Sequence, residues 1–278
     1  MSRMMTPSHV MWAMLILVAA PAASRGADQW QFGSAPSFSS GRYGTDTRTE
    51  VLHTPITARR LFDDGDLTFV FPFTCIWGDG GVTIVNGMPV RQQRLANLAG
   101  TASRGARTTA SPEPTRTCGM GDIIVRGRYY LVDQHDWVPT LAVRGHVKAP
   151  TASAEHDLGT GRPDEGVGLE VSRTFARGTI AMVDGGYTVI GKPSGVAFDN
   201  TWWYDFGIGQ DLAKGVVNLS AFFEEYRAIL PGLANSREVL AVVSVKGANG
   251  WRVQVSGEFG LSDGAPDQGI TFGASRRF

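Results

Sequence analysis

From residue 126 onward, charged side chains recur at spacings of two along the chain. Arg126 and Arg128 are followed by Arg144, His146 and Lys148, and later positions of the same kind hold Glu170, Asp184, Asp205, Glu224, Arg252 and Glu258. Apolar residues fill the alternate places: Ile123, Val125, Gly127, Tyr129 and Leu131 oppose Asp122, Arg126 and Arg128, and Leu141, Val143 and Val147 oppose Arg144, His146 and Lys148. A period of two on an extended chain collects one kind of residue on each face. Gathered inside a closed wall, such charges would line a polar lumen that filters small solutes electrostatically. They would equally serve as a network bracing or plugging a narrow barrel, because buried ions need partners. The basic cluster comes from two neighbouring segments and acids dominate the later ones, a division that would set a transverse field across the interior.

Catalysis would require a nucleophile, a base and an orienting group in one place. His53, His146 and His156 are the candidate bases, and serines are plentiful. A lipid-facing Ser–His pair would suggest an outer-membrane phospholipase, but no local signature marks one, and the reading is of a non-enzyme. Cys75 and Cys118 lie too far apart in sequence for a Cys/His metal motif, so neither a metal nor a cofactor is expected. Gly207 and Gly209 fall within a strand pattern rather than a phosphate-binding loop.

The elements that must carry these residues are strands. Glycine is frequent, at 35 of 278 residues, and only 19% of the chain is charged. That suits β-structure with many tight turns. Lys plus Arg equals Asp plus Glu at 26 each, which gives no basic surplus for nucleic acid. Residues 1–24 read as a secretory signal: Arg3, the apolar run Val10 to Ala20, then small residues, with cleavage between positions 22 and 27. Beyond it no stretch approaches the ~20 apolar residues of a membrane helix.

Alternating segments at 31–43, 51–62, 66–77, 121–132, 137–149, 165–176, 178–191, 200–213, 215–227, 237–247, 250–261 and 268–278 predict strands. Short turns, at residues 63–65, 133–136, Arg177, Lys214 and Asn249, alternate with long links, of which 78–120 is the longest. Outer-membrane barrels have short periplasmic turns and longer external loops. The expected fold over residues 28–278 is therefore an all-β, transmembrane, antiparallel up-and-down barrel of about twelve strands. Trp77, Trp137, Trp202, Trp251 and Phe278 fall near segment ends, where interfacial aromatics belong. Export places Cys75 and Cys118 in an oxidising compartment at either end of the longest loop. A disulfide there would contribute about 4 kcal/mol in the chain-entropy model; the alternative is two free thiols.

The stretches Ser39-Ser-Gly-Arg-Tyr-Gly-Thr-Asp46, Cys118-Gly-Met-Gly-Asp122, Leu158-Gly-Thr-Gly161 and Leu261-Ser-Asp-Gly-Ala-Pro-Asp267 resemble an outer-membrane barrel family described as meta-pathway phenol-degradation or transporter-like proteins. The resemblance runs from about Phe38 to Phe278. It implies a bacterial outer-membrane channel or transporter for small molecules, aromatic or hydrophobic ones among them. Outer-membrane lipids and the barrel assembly machinery, which would engage the last strand ending in Phe278, are the implied partners. Arg276 departs from the apolar alternation of that strand; near the interface a lipid-facing Arg costs about 0–1 kcal/mol. The competing reading is a non-transporting surface barrel that binds partners through its loops.

Overall fold

The computed structural model describes residues 29–44, 47–78, 82–85, 88–91, 115–193 and 197–278. The segment read as a secretory signal lies outside the described residues, as does most of the link 78–120. The strands are β1 (Gln29–Ser34), β2 (Ser37–Gly41), β3 (Thr49–Phe62), β4 (Gly65–Gly78), β5 (Val82–Val85), β6 (Met88–Arg91), β7 (Thr115–Met120) and β8 (Ile123–Val132). They continue with β9 (Thr140–Ala149), β10 (Asp164–Thr174), β11 (Thr179–Val189), β12 (Thr201–Leu212), β13 (Val217–Tyr226), β14 (Ser236–Lys246), β15 (Trp251–Gly260) and β16 (Gln268–Arg277).

Each stave pairs antiparallel with the next, and β16 returns to β1 and β2, so the sheet closes into a barrel of twelve staves. β1 with β2 forms one stave and β7 with β8 another. β5 and β6 form a separate hairpin in the longest loop. Its second strand, Met88–Arg91, falls where the sequence shows no strand signal beyond Val85.

Two staves are interrupted, and each break lies beside a proline on its neighbour. Continuing the register from Ser34↔Ile56 to Ser37↔His53 puts Ala35, in the gap between β1 and β2, opposite Pro55. Pro72 of β4 lies beside Gly121, in the gap between β7 and β8, and Gly121 donates its N–H to the Pro72 carbonyl at 2.8 Å. Proline has no N–H to return, so the ladder loses a rung at both places. Pro55 and Pro72 face each other across β3 and β4. Gly121 has no alternative here, since a Cβ would stand 2.9 Å from the Pro72 ring.

The short connections follow from local backbone chemistry. At 177–178 and 249–250 both residues have positive φ, 67° and 81° for Arg177 and Gly178, 53° and 77° for Asn249 and Gly250. Two such residues reverse a strand with the twist that a hairpin needs. These turns gather at one end, the turn side; the long links lie at the other, the loop side.

The outer surface is apolar to a degree unsuited to water. Ile56, Val167, Ile208, Phe259 and Phe272 are all exposed by more than half. They belong to an outward row of Phe, Val, Leu and Ile that circles the wall, far beyond the apolar patches tolerated on a soluble monomer. Such a belt, with all strand edges closed, is the solution to spanning a bilayer with strands. Near the turn side, arginines lie against outward aromatic rings. Arg173 sits over Trp137 at 5.7 Å and over Phe175 at 5.6 Å. Arg276 lies between Trp251 at 5.8 Å and Phe278 at 4.6 Å. The rings cover the guanidinium that breaks the apolar alternation of β16, a cation–π arrangement favourable by about 0.5–1 kcal/mol at exposed sites.

Candidate functional site

The inner face draws its charges from strand register. Glu170 on β10 faces Asp184 on β11, Asp184 faces Asp205 on β12, Asp205 faces Glu224 on β13, and Glu224 faces Glu238 on β14. Five carboxylates therefore stand in one row across five strands. Like charges directly opposite one another destabilise a sheet, so the row requires compensation.

One end receives it. Arg128 pairs with Glu170 at 3.1 Å, and Arg144 pairs with Asp184 while lying 3.8 Å from Glu170. The Arg144 guanidinium also sits 5.7 Å from the centre of the Trp203 ring. Trp203 lies flat against the wall because Gly168 and Gly186 leave room: a Cβ at Gly186 would come within 2.5 Å of the indole. Its Nε1–H donates to Thr188 Oγ1 at 3.1 Å. A further pair, Arg59 with Asp66 at 2.6 Å, joins β3 to β4 on the same turn-side level.

The other end has no such close pair. Asp205, Glu224, Glu238 and Glu258 form no ion pair among the described residues. Both Asp205 oxygens and one Glu224 oxygen are buried without a hydrogen-bond partner. Glu258 is accommodated by a glycine opposite: a Cβ at Gly269 would overlap its carboxylate.

Two cavities follow this division. The turn-side cavity, about 70 Å³, is walled by Arg59, Asp66, Arg126, Arg128, Arg144 and Arg252 with Gln31, Thr57 and Ser275. The loop-side cavity, about 500 Å³, is bordered by Glu224, Glu238 and Glu258 on one side and by His53, Pro55, Val70, Pro72 and Ile124 on another. Tyr43, Val51, Tyr226, Leu240 and Val242 extend its apolar surface, and Ile229, Leu230 and Leu233 of the link between β13 and β14 line it as well. Arg126 lines both cavities and marks the neck between them. Its Nε has no hydrogen-bond partner, and it makes no ion pair among the described residues.

All the charged residues singled out from the sequence turn to the inner face, but they do not form one group. Arg126, Arg128, Arg144 and Arg252 surround the smaller cavity, and Glu224 and Glu258 border the larger. Glu170 and Asp184, each 1% exposed, are consumed by their arginine partners. Lys148 is sealed off altogether at 0% exposure, paired with Asp164 and, at 2.9 Å, with Asp122, and donating to Thr160 at 3.1 Å. Asp122 also accepts from the Ala152 N–H at 2.9 Å and Asp164 from the Gly191 N–H at 3.0 Å. This knot fastens the loop after β9 to the wall. His146 is buried beside Arg126, its cross-strand neighbour.

Other inward residues escaped the sequence reading: Arg59, Asp66, Trp203, Tyr226 and Glu238. β14 carries apolar residues on both faces, Val242 inward and Val243 outward, so no alternation exposed Glu238. Of the candidate bases, His53 bonds Thr74 at 2.9 Å, and His156 meets Ser153 at 2.8 Å within one exposed loop turn. Cys75 and Cys118 sit opposite each other on β4 and β7 and are joined by a disulfide on the outward face.

No family model matches the sequence, and no curated protein does. Solved structures do. An outer membrane channel from Pseudomonas putida F1 superposes with a TM-score of 0.65 at 11% identity, covering 95% of this chain and 100% of its own. A KdgM porin gives a TM-score of 0.48 at 8% identity over 89% of this chain and 99% of its own. The CymD monoaromatic hydrocarbon channel gives 0.43 at 10% identity over 89% and 87%. The first of these shows that the chain has the fold of an outer-membrane barrel: closed, antiparallel and twelve-stranded, with an apolar exterior and a charged interior.

Proposed function

We propose that the protein is a channel in the bacterial outer membrane through which small molecules pass, amphipathic and aromatic compounds among them. The observation that carries this reading is the loop-side cavity of about 500 Å³. A plugged or purely structural barrel would fill that space with side chains, as small barrels do. Here Val51, Val70, Ile124, Leu240 and Val242 offer an apolar surface to a ring or alkyl body, while charges sit on opposite walls. Pockets with mostly apolar walls and a few placed polar groups suit small organic molecules.

The similarity to an outer membrane channel supports the reading at the level of fold. With long loops outside and short turns in the periplasm, the larger cavity lies on the side of the cell exterior, beneath the links after β13 and β15, and the arginine neck lies inward. The outward belt takes outer-membrane lipid. The last strand, ending at the outward Phe278, is the segment through which the assembly machinery would engage the chain.

The test is uptake. Signal-free protein refolded into liposomes is assayed for permeation by aromatic acids, neutral aromatics and sugars. Permeation above that of protein-free vesicles, with one class preferred, supports the channel. A folded, heat-modifiable barrel that passes none of them overturns it in favour of a closed surface protein.

A further inference from the structure

We propose that the lumen is bipolar: two chambers of opposite fixed charge stand in series, so that the pore rectifies ionic current and favours zwitterionic and neutral solutes over simple ions of either sign. This rests on the channel reading above and names the solutes it would select.

The turn-side chamber holds five arginines, Arg59, Arg126, Arg128, Arg144 and Arg252, against four carboxylates, Asp66, Glu170 and Asp184 with Asp211, which acts on Arg252. Its surplus is positive. The loop-side chamber is bordered by Glu224, Glu238 and Glu258, with Asp205 beside Glu224 in the row; none of the four makes an ion pair among the described residues, and Arg144 alone among the bases acts on Asp205 and Glu224, from the turn side. Its surplus is negative. Arg126 stands at the junction. The register explains why the signs separate along the pore and not merely around it. Strands in a barrel are tilted by roughly 35–45°, so a row perpendicular to them climbs as it goes round. The row that starts beside Arg128 and Arg144 at Glu170 reaches Glu238 four strands later, higher toward the loops.

A simple ion crossing this lumen meets one chamber of its own sign whichever way it travels. Cations are repelled at the arginines and anions at the glutamates, within low-dielectric walls that focus both fields. A zwitterion meets no such barrier, because its ammonium end can lie against Glu224, Glu238 and Glu258 while its anionic end reaches Arg126. Its apolar part has the wall of Val70, Ile124 and Leu240. The arrangement also has a preferred direction. With the loop side positive, cations enter through the acidic chamber and anions through the basic one, and both accumulate at the neck. With the potential reversed, both are drawn out and the neck is depleted.

The experiment is single-channel recording at equal and opposite voltages in 0.1 M and in 1 M KCl, with a liposome assay comparing a zwitterionic amino acid with its amide and its N-acetyl derivative. In 0.1 M salt, where screening extends about 10 Å, currents at the two polarities should differ by about 2-fold or more; in 1 M salt, with screening of about 3 Å, they should converge. The triple variant Glu224→Gln/Glu238→Gln/Glu258→Gln and the single variant Arg126→Gln should each lose the asymmetry, from opposite chambers. The zwitterion should enter faster than either singly charged analogue. Symmetric currents in 0.1 M salt with no preference for the zwitterion would overturn the bipolar lumen and leave the channel standing. Absence of both conductance and uptake from folded barrels would overturn the channel itself, and this inference with it.

Discussion

Both ends of the lumen hold inward carboxylates and treat them oppositely. On the turn side, Arg128, Arg144 and Arg59 are locked to Glu170, Asp184 and Asp66, and the remaining space is about 70 Å³. On the loop side, Glu224, Glu238 and Glu258 face about 500 Å³ with no ion pair among the described residues. Paired charges in a barrel interior replace the hydrophobic core that the wall cannot have, since its apolar face is committed to lipid. Unpaired charges add nothing to that framework; they cost stability, through repulsion and desolvation. The contrast separates residues that build the wall from residues available to a solute.

Substitutions should therefore divide by chamber. The largest effect belongs to Arg144→Met, which strands Asp184 and leaves Glu170 to Arg128 alone; a loss of about 3–5 kcal/mol is expected, read from urea unfolding in detergent or lipid. Lys148→Met should cost as much at the loop-side rim, where it would leave Asp122 and Asp164 facing each other. Either variant unfolding at the wild-type midpoint would mean that the pairs are not structural. The double variant Cys75→Ser/Cys118→Ser removes a link across 43 residues and should lose about 2–4 kcal/mol under oxidising conditions. Reduced wild-type protein should match it. Gly186→Val, which drives a side chain into the Trp203 indole, should lose about 1–3 kcal/mol by overpacking. Smallest, and opposite in sign, is Glu224→Gln: relieving repulsion in the unpaired row should leave stability unchanged or raise it by up to about 1 kcal/mol. A clear loss there would show that the loop-side carboxylates brace the wall after all, and would erase the distinction between chambers.

The architecture was legible because a membrane barrel writes itself in two periods at once. Alternation along each strand revealed the faces, and the rhythm of short and long connections revealed the meander. Arg177, Lys214 and Asn249 stand out as turns because each precedes a glycine, and φ is positive at all three. The ends were less readable. β9 begins at Thr140 rather than at Trp137, because Asp136 takes a φ of 44° and the chain turns there first. The fourth stave begins at Thr115, earlier than its alternation suggests, because the irregularity at Gly121 and Asp122 hides a strand on its far side.

Within the lumen, the sequence placed charges on a face but could not rank them. Whether Lys148 meets solvent or is sealed depends on Asp122, Asp164 and Thr160, which arrive from other strands and a loop. Glu238 was hidden for the opposite reason, since Leu240 and Val242 make its own face look apolar. The division of sign along the pore is likewise a property of strand tilt, and no local window of sequence contains it.

The facing prolines, Pro55 and Pro72, and the interruptions beside them run as a seam through four neighbouring staves. Fraying that begins there has fewer rungs to break than in an uninterrupted pair of strands. Three residues further along β4, Cys75 is tied to Cys118. The bond works as a suture at the loop-side end of the seam. A tear between β4 and the stave made by β7 and β8 stops at a covalent stitch in one direction and runs freely only in the other.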